Sequence, residues 1–314
     1  MSSSMHAQRR RAGRLVTVVI AAVPLGLAAC GDDGDKAAAA KATPLVITTS
    51  DESSKRFKTE APTSIKGGLV NLRFTNAGKE EHEAALVRLD GAHTSQELLK
   101  LVAAQADVVP DWVHFAGGAG STRPGQTASV TLNLGPGKYV MIDTGDPDAG
   151  PSPSSRGALA EFQVTAGKDG TLPASTATIT ATTEHAEADG EHTPGERPHA
   201  YEITGLKAGS NRVRFVNKGE EDHHAVLFPI QPGKAIADVE KFFQQQGRPS
   251  GPPPVDFSEG SGDYVAAIEG DNEQVTDLTL RKPGKYAVVC FLTDRDGKGK
   301  PHFAEGMLKE VDVK

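Results

Sequence analysis

Two stretches of this chain, about 140 residues apart, carry the same pattern, so the fold must be one that can be built twice. The first is LVNLRFTNAGKEEHEAALVRL and the second is NRVRFVNKGEEDHHAVLFPI. Asn76 aligns with Asn217, Gly78 with Gly219 and His82 with His223. Each stretch opens on alternating apolar residues, Val70, Leu72 and Phe74 in one and Val213 and Phe215 in the other. That alternation is the period of a strand with one buried face. A repeat this long is a domain, not a solenoid unit, so the 314 residues divide into two domains.

The pattern continues in register through both copies. A helix is expected from Ser95 to Ala104, with Thr94 or Ser95 as N-cap. Its counterpart runs from Ala235 to Gln245, with Ile236, Val239, Phe242 and Phe243 on one face. Gly- and Pro-rich segments follow, 109–125 and 247–262, and read as surface loops. Trp112 and His114 fall in the first of these and read as packing residues. Alternating strands then begin at Ala128 and Gln274, and Pro-Gly turns lead to Tyr139 and Tyr286. The last strands are expected at Leu159 to Thr165 and at Met307 to Val313. With 34 glycines, 20 prolines and few aromatics, turn-rich β structure is favoured over long helices. The expected class is all-β: two tandem Greek-key β-sandwich domains, 45–166 and 174–314, each with a short helix in a connecting loop. An acidic insertion from Thr183 to Pro198 has no partner in the first copy, and its His185 and His192 read as loop decoration.

The first 29 residues read as a signal segment. Arg9, Arg10, Arg11 and Arg14 form a basic head, and Leu15 to Leu27 is an apolar run too short for a comfortable span. The run ends Leu-Ala-Ala-Cys30, which resembles the bacterial lipobox. That resemblance implies cleavage before Cys30, lipidation of its thiol, and attachment to the outer face of the cell membrane. Residues 30–44 then read as a flexible tether. Cleavage removes four arginines and no acids, taking the formal charge from −7 to −11, which argues against nucleic acid as a partner.

The chain has two cysteines, so lipidation of Cys30 leaves Cys290 with no disulfide partner. A lone thiol in an exported protein calls for burial or a metal. Cys290 ends a strand-like run, and His302 and Met307 follow it. His223 and His224 stand at the start of an upstream strand. Thiolate, two imidazoles and a thioether are the donor set of a blue-copper centre. Adjacent strand residues face opposite ways, so only one of His223 and His224 points at a common centre, and the repeat alignment favours His223 with His224 as the alternative.

On these residues both copies resemble the cupredoxins, the plastocyanin and azurin type of β-sandwich. The resemblance covers most of both repeats and implies one copper ion, in the C-terminal domain, held by His223, Cys290, His302 and Met307. The four residues between His302 and Met307, and the pair Gly306-Met307, match plastocyanin-like sites. The first copy keeps His82 but has Asp143 in place of Cys290, Pro153 in place of His302 and Gly157-Ala158 in place of Gly306-Met307. It is therefore expected to lack copper.

One feature departs from the family. Eleven residues separate Cys290 from His302, where electron-transfer members use a much shorter loop, and this segment, FLTDRDGKGKP, reads as polar and solvent-facing. The loop leaves three readings standing: a one-electron carrier with a redox partner protein, a copper chaperone or sensor with an accessible metal, and a metal-free envelope binding module. No Ser-His-Asp arrangement, phosphate loop, paired-carboxylate motif or His-x-His pair stands out, so the expectation is that the chain is not an enzyme.

Overall fold

The computed structural model describes residues 41–106, 108–145, 151–183, 199–245, 251–257, 263–297 and 300–314. The signal segment, Cys30, His185 and His192 lie outside the described residues. In the first repeat the strands are β1 (Thr43–Ser53), β2 (Arg56–Glu60), β3 (Ser64–Asn76), β4 (His82–Leu89), β5 (Val113–Thr122), β6 (Thr127–Leu134), β7 (Gly137–Ile142) and β8 (Leu159–Lys168). In the second they are β9 (Ala177–Thr183), β10 (His199–Thr204), β11 (Gly209–Asn217), β12 (His223–Pro229), β13 (Asp263–Ile268), β14 (Glu273–Leu280), β15 (Gly284–Val289) and β16 (Leu308–Val313). β1 takes in Thr43 and Pro44, the last two residues of the expected tether.

Helix α1 (Ser95–Ala103) starts where the sequence says it should. Thr94 caps it, its hydroxyl accepting from Glu97 N while Glu97 reaches back to Thr94 N at 2.8 Å. Helix α2 (Ile236–Phe243) turns Val239 inward against Phe228 and Val255. Each repeat is a sandwich of two sheets. In the second, β9, β10, β11 and β14 form one layer and β12, β13, β15 and β16 the other. The strand alternation fills the space between them: Phe74 and Phe215, aligned in the repeat, are both fully buried. Each such ring contributes about 1.5–3 kcal/mol by leaving water.

The same small devices brace both copies. Asn76 and Asn217 each close their turn: the amide oxygen accepts from Gly78 N or Gly219 N at 2.9 Å, and the amide nitrogen donates to Thr122 O or Ile268 O. Tyr139 and Tyr286 each donate to a carbonyl four residues upstream, both at 3.0 Å. These bonds explain why the Asn-x-Gly and Pro-Gly-Lys-Tyr segments recur.

The loop expected from Val109 to Gly125 is corrected: Val113–Thr122, including His114, is strand β5. Its run of glycines disguises it. Gly120 lies so close to the Tyr264 carbonyl that a Cβ would meet the oxygen at 1.8 Å, and a Cβ on Gly118 would meet the Ala84 carbonyl oxygen at 2.1 Å. β5 pairs with β4 and also touches β13 through Ala116 and Ile268, while β6 pairs with β14 from Val130 to Leu132. Thus β5 and β13 meet, and so do their neighbours β6 and β14, equivalent strands from the two repeats. The strand order runs unbroken from one copy into the other, and each repeat covers edges that would otherwise be open. Leu172, in the linker, packs between Leu69 and Val275 and seals the seam.

Candidate metal centre

The site is built at one end of the second sandwich by the starts and ends of three elements. His223 opens β12, Cys290 directly follows β15, and His302 opens a single 3-10 turn, His302–Glu305, ahead of β16. Backbone bonds fix the turn against the strand end: Phe303 N donates to Cys290 O at 2.9 Å and Met307 N to His302 O at 2.8 Å. Cys290, His223, His302 and Met307 are all fully buried.

The donor atoms converge. Cys290 Sγ lies 3.6 Å from His302 Nδ1 and 3.9 Å from His223 Nδ1, and the two Nδ1 atoms are 3.1 Å apart. Two donors bound to one first-row metal at about 2.0–2.3 Å stand roughly 3.3–3.8 Å apart at a tetrahedral angle, and the three distances here bracket that range. Met307 packs in the same buried cluster as Cys290. Thiolate, two imidazoles and a thioether suit copper in both of its oxidation states, so the residues present fit the ion.

Burial sets the electrostatics. It pushes the Cys290 thiol up to about 12. It also pulls His223 down to about 2, helped by His302, His199 and His224, and His302 to about 3, helped by His199. The imidazoles are therefore held neutral, the form in which a ring nitrogen has a lone pair for a metal, whereas the thiol needs a cation to ionise. The outer ring nitrogens have partners: His302 Nε2 meets Asp294 Oδ1 at 3.1 Å, and His223 Nε2 meets Thr183 Oγ1 at 3.4 Å. Such partners orient a ligand ring and fix its tautomer. Gly219 is needed here, because a Cβ would stand 3.1 Å from His223 Nε2 and 2.2 Å from Thr183 Oγ1.

His224 faces the other way. Its Nε2 accepts from Phe291 N at 2.8 Å, and its ring packs edge-on to Tyr264 and Phe291. It braces the backbone just after Cys290. Tyr201 donates to His224 O, tying β10 to the same point.

The long loop after Cys290, expected from its polarity to face solvent, does expose Asp296 and Lys300, but residues 291–295 are half-buried. Arg295 pins it. The guanidinium pairs with Asp222 at 2.6 Å and donates to the carbonyls of Pro110 and Val113 in the first repeat. Arg295 N donates to Glu221, and Val109 N donates to Arg295 O. This anchoring holds Asp294 beside His302.

His199 was missed by the sequence reading. It opens β10 beside the acidic insertion, is 3% exposed, and stacks on His302 with ring centroids 4.1 Å apart. No signal in the residue order marks it: its place follows from β10 pairing with β9, which sets His199 across from Thr183, a neighbour of His223.

The first repeat keeps the backbone cradle without the donors. Ser154 N donates to Asp143 O and Ala158 N to Pro153 O, repeating the bonds at Cys290 and Met307. Pro153–Arg156 is the matching 3-10 turn. Asp143 here pairs with His82 Nδ1 at 2.5 Å, both side chains buried.

No family model and no curated protein matches the chain. Solved structures do. A multicopper oxidase is 16% identical over 86% of this chain and 88% of its own, with a TM-score of 0.24. The copper nitrite reductase from Nitrosomonas europaea is 15% identical over 86% of this chain and 94% of its own, TM-score 0.24. Auracyanin A, a "blue" copper protein from Chloroflexus aurantiacus, is 16% identical over 40% of this chain and 99% of its own, TM-score 0.27. By its own strand pairings the chain is all-β and built of β-sandwiches, the fold class expected from the sequence. One expectation from the sequence is corrected: proteins named as an oxidase and as nitrite reductases stand among these neighbours, and the expectation that the chain is not an enzyme is withdrawn.

Proposed function

We propose that this cupredoxin-like chain binds one copper ion through His223, Cys290, His302 and Met307 and uses it for one-electron transfer. The observation that carries the reading is the convergence of Sγ and two Nδ1 atoms within 3.1–3.9 Å in a fully buried pocket. Copper held there supplies a one-electron redox couple. The chain supplies the rest. Two strand ends and a 3-10 turn, joined by backbone bonds, keep the donors in place whichever charge the ion carries. Asp294 and Thr183 hold the outer edges of the imidazoles. His199 covers His302 and keeps bulk water from its ring, which favours a carrier over a chaperone that must hand its metal on.

The tandem sandwiches are further proposed to stand on a tether lipidated at Cys30, at the outer face of the cell membrane, where a redox partner protein would reach them. The Leu-Ala-Ala-Cys30 motif behind a basic head and apolar run supports this. Two experiments test the proposal. Cu(II) added to the purified chain is expected to give an intense visible thiolate-to-copper band that Cys290→Ser abolishes; a colourless copper-loaded protein sinks the redox reading. Cells fed a labelled fatty acid are expected to label the chain, and Cys30→Ser to abolish the label; an unlabelled parent chain, or a label that survives Cys30→Ser, refutes the anchor.

A further inference from the structure

Just outside the buried donors lies a second group of metal-binding side chains. His199 Nε2 stands 3.5 Å from Asp294 Oδ1 and 3.9 Å from Glu305 Oε2, and one donor atom from each residue falls within 4.8 Å of the others. The three residues come from the start of β10, the long loop and the 3-10 turn. His199 is buried, with its ring fixed by stacking on His302, while the carboxylates are only partly covered and open outward.

We propose that His199, Asp294 and Glu305 form a second, outer site for a divalent cation of the zinc class. The spacing is the first argument. At 3.5 and 3.9 Å the imidazole nitrogen stands within ion-pair reach of both carboxylates. Two donors at about 2.1 Å from one ion sit roughly 3.4 Å apart at the tetrahedral angle, which this spacing approaches. The donor chemistry is the second. One imidazole and two carboxylates suit zinc and similar borderline cations, and the lack of sulfur separates this set from the inner one. Charge is the third. Arg295, next to Asp294 in sequence, turns its guanidinium to Asp222 and the first repeat, so it does not occupy the outer site.

The two sites share Asp294, whose Oδ1 also meets His302 Nε2. An ion in the outer site places positive charge beside an inner ligand and competes for the carboxylate that orients it. The outer ion therefore favours the less charged form of copper, and the midpoint potential of the inner centre rises when it binds.

Zinc alone is the probe, titrated calorimetrically into the full-length chain in detergent. The titration uses both copper-loaded protein and the Cys290→Ser variant, so a failure to load copper leaves the outer site measurable. About one zinc per chain is expected, weakened roughly tenfold or more by Glu305→Gln and by His199→Asn. His185→Asn with His192→Asn in one chain is expected to leave it unchanged. The inference is overturned if zinc does not bind, if both Glu305→Gln and His199→Asn leave the affinity unaltered, or if binding disappears with the insertion histidines. A blue copper centre that ignores zinc would sink the outer site and leave the inner one standing.

Discussion

Arg295→Ala tests whether the long loop is held by the clamp described above. The substitution removes the 2.6 Å ion pair with Asp222 and the bonds to the Pro110 and Val113 carbonyls at 3.1 and 2.6 Å. Asp222 is left behind with a side chain only 3% exposed and no cation. Stranding one member of a buried pair costs about 3–5 kcal/mol. Arg295 is 23% exposed, so water reaches the gap, and a loss of about 2–3 kcal/mol is the better figure. In a fold of this size that lowers Tm by roughly 5–10 °C.

The pH dependence gives a second handle on the clamp. Burial pushes the Asp222 carboxyl up to about 6 against the pull of Arg295, so the native state takes up its proton before the unfolded chain does. Stability from this group is present below the ordinary carboxylate range and lost as pH rises through about 6. Without Arg295 the stranded charge exists chiefly at high pH, so the penalty is larger near pH 8 than near pH 5. Thermal and urea melts of the copper-free chain, of each single variant and of Arg295→Ala with Asp222→Asn provide the assay. The double variant is expected to recover roughly 1–2 kcal/mol relative to the sum of the singles. An Arg295→Ala chain within about 0.5 kcal/mol of the parent, or a strictly additive double, refutes the clamp.

Three other substitutions address the scaffold and the site. Gly120→Ala puts a Cβ 1.8 Å from the Tyr264 carbonyl; β5 must then move off its neighbour, with a loss of about 3 kcal/mol or more, and a melting temperature equal to the parent's refutes the close approach. Glu83 is half-buried, and desolvation, with the Asp143 charge nearby, lifts its carboxyl to about 7; its contribution is full below the ordinary glutamate value and lost as pH rises through about 7, so Glu83→Gln should flatten the fall of Tm between about pH 5 and pH 8, and superimposable profiles count against it. Met307→Leu conserves volume in the buried cluster and should cost under about 1.5 kcal/mol, while loss of the thioether raises the copper potential measured by voltammetry; an unchanged potential removes Met307 from the donor set.

Much of the fold could be read from residue order because its signals are local. The alternation at Val70, Leu72 and Phe74, and at Val213 and Phe215, gave strands β3 and β11; the Asn-x-Gly turns gave the strand ends; Thr94 gave the start of α1. Strand β5 escaped because its glycines answer to neighbours distant in sequence, Ala84 and Tyr264, and glycine by itself reads as a turn. The anchoring of the loop after Cys290 escaped for a similar reason. Its charged residues find Asp222 and the Pro110 and Val113 carbonyls across the seam between repeats.

The sequence by itself determined that one sandwich is built twice and that only the second copy carries a thiol, two histidines and a thioether in order. These are facts of composition and spacing, and the first copy's Asp143, Pro153 and Ala158 show that the cradle does not require the donors. The tertiary structure decided where the donors point and what stands behind them. His223 faces Cys290 while His224 turns to Phe291, because adjacent strand residues take opposite faces and only the packed sheets say which face is which. Asp294, Thr183 and His199 reach the site from three separate segments, and the register that places them exists only once the sheets have closed.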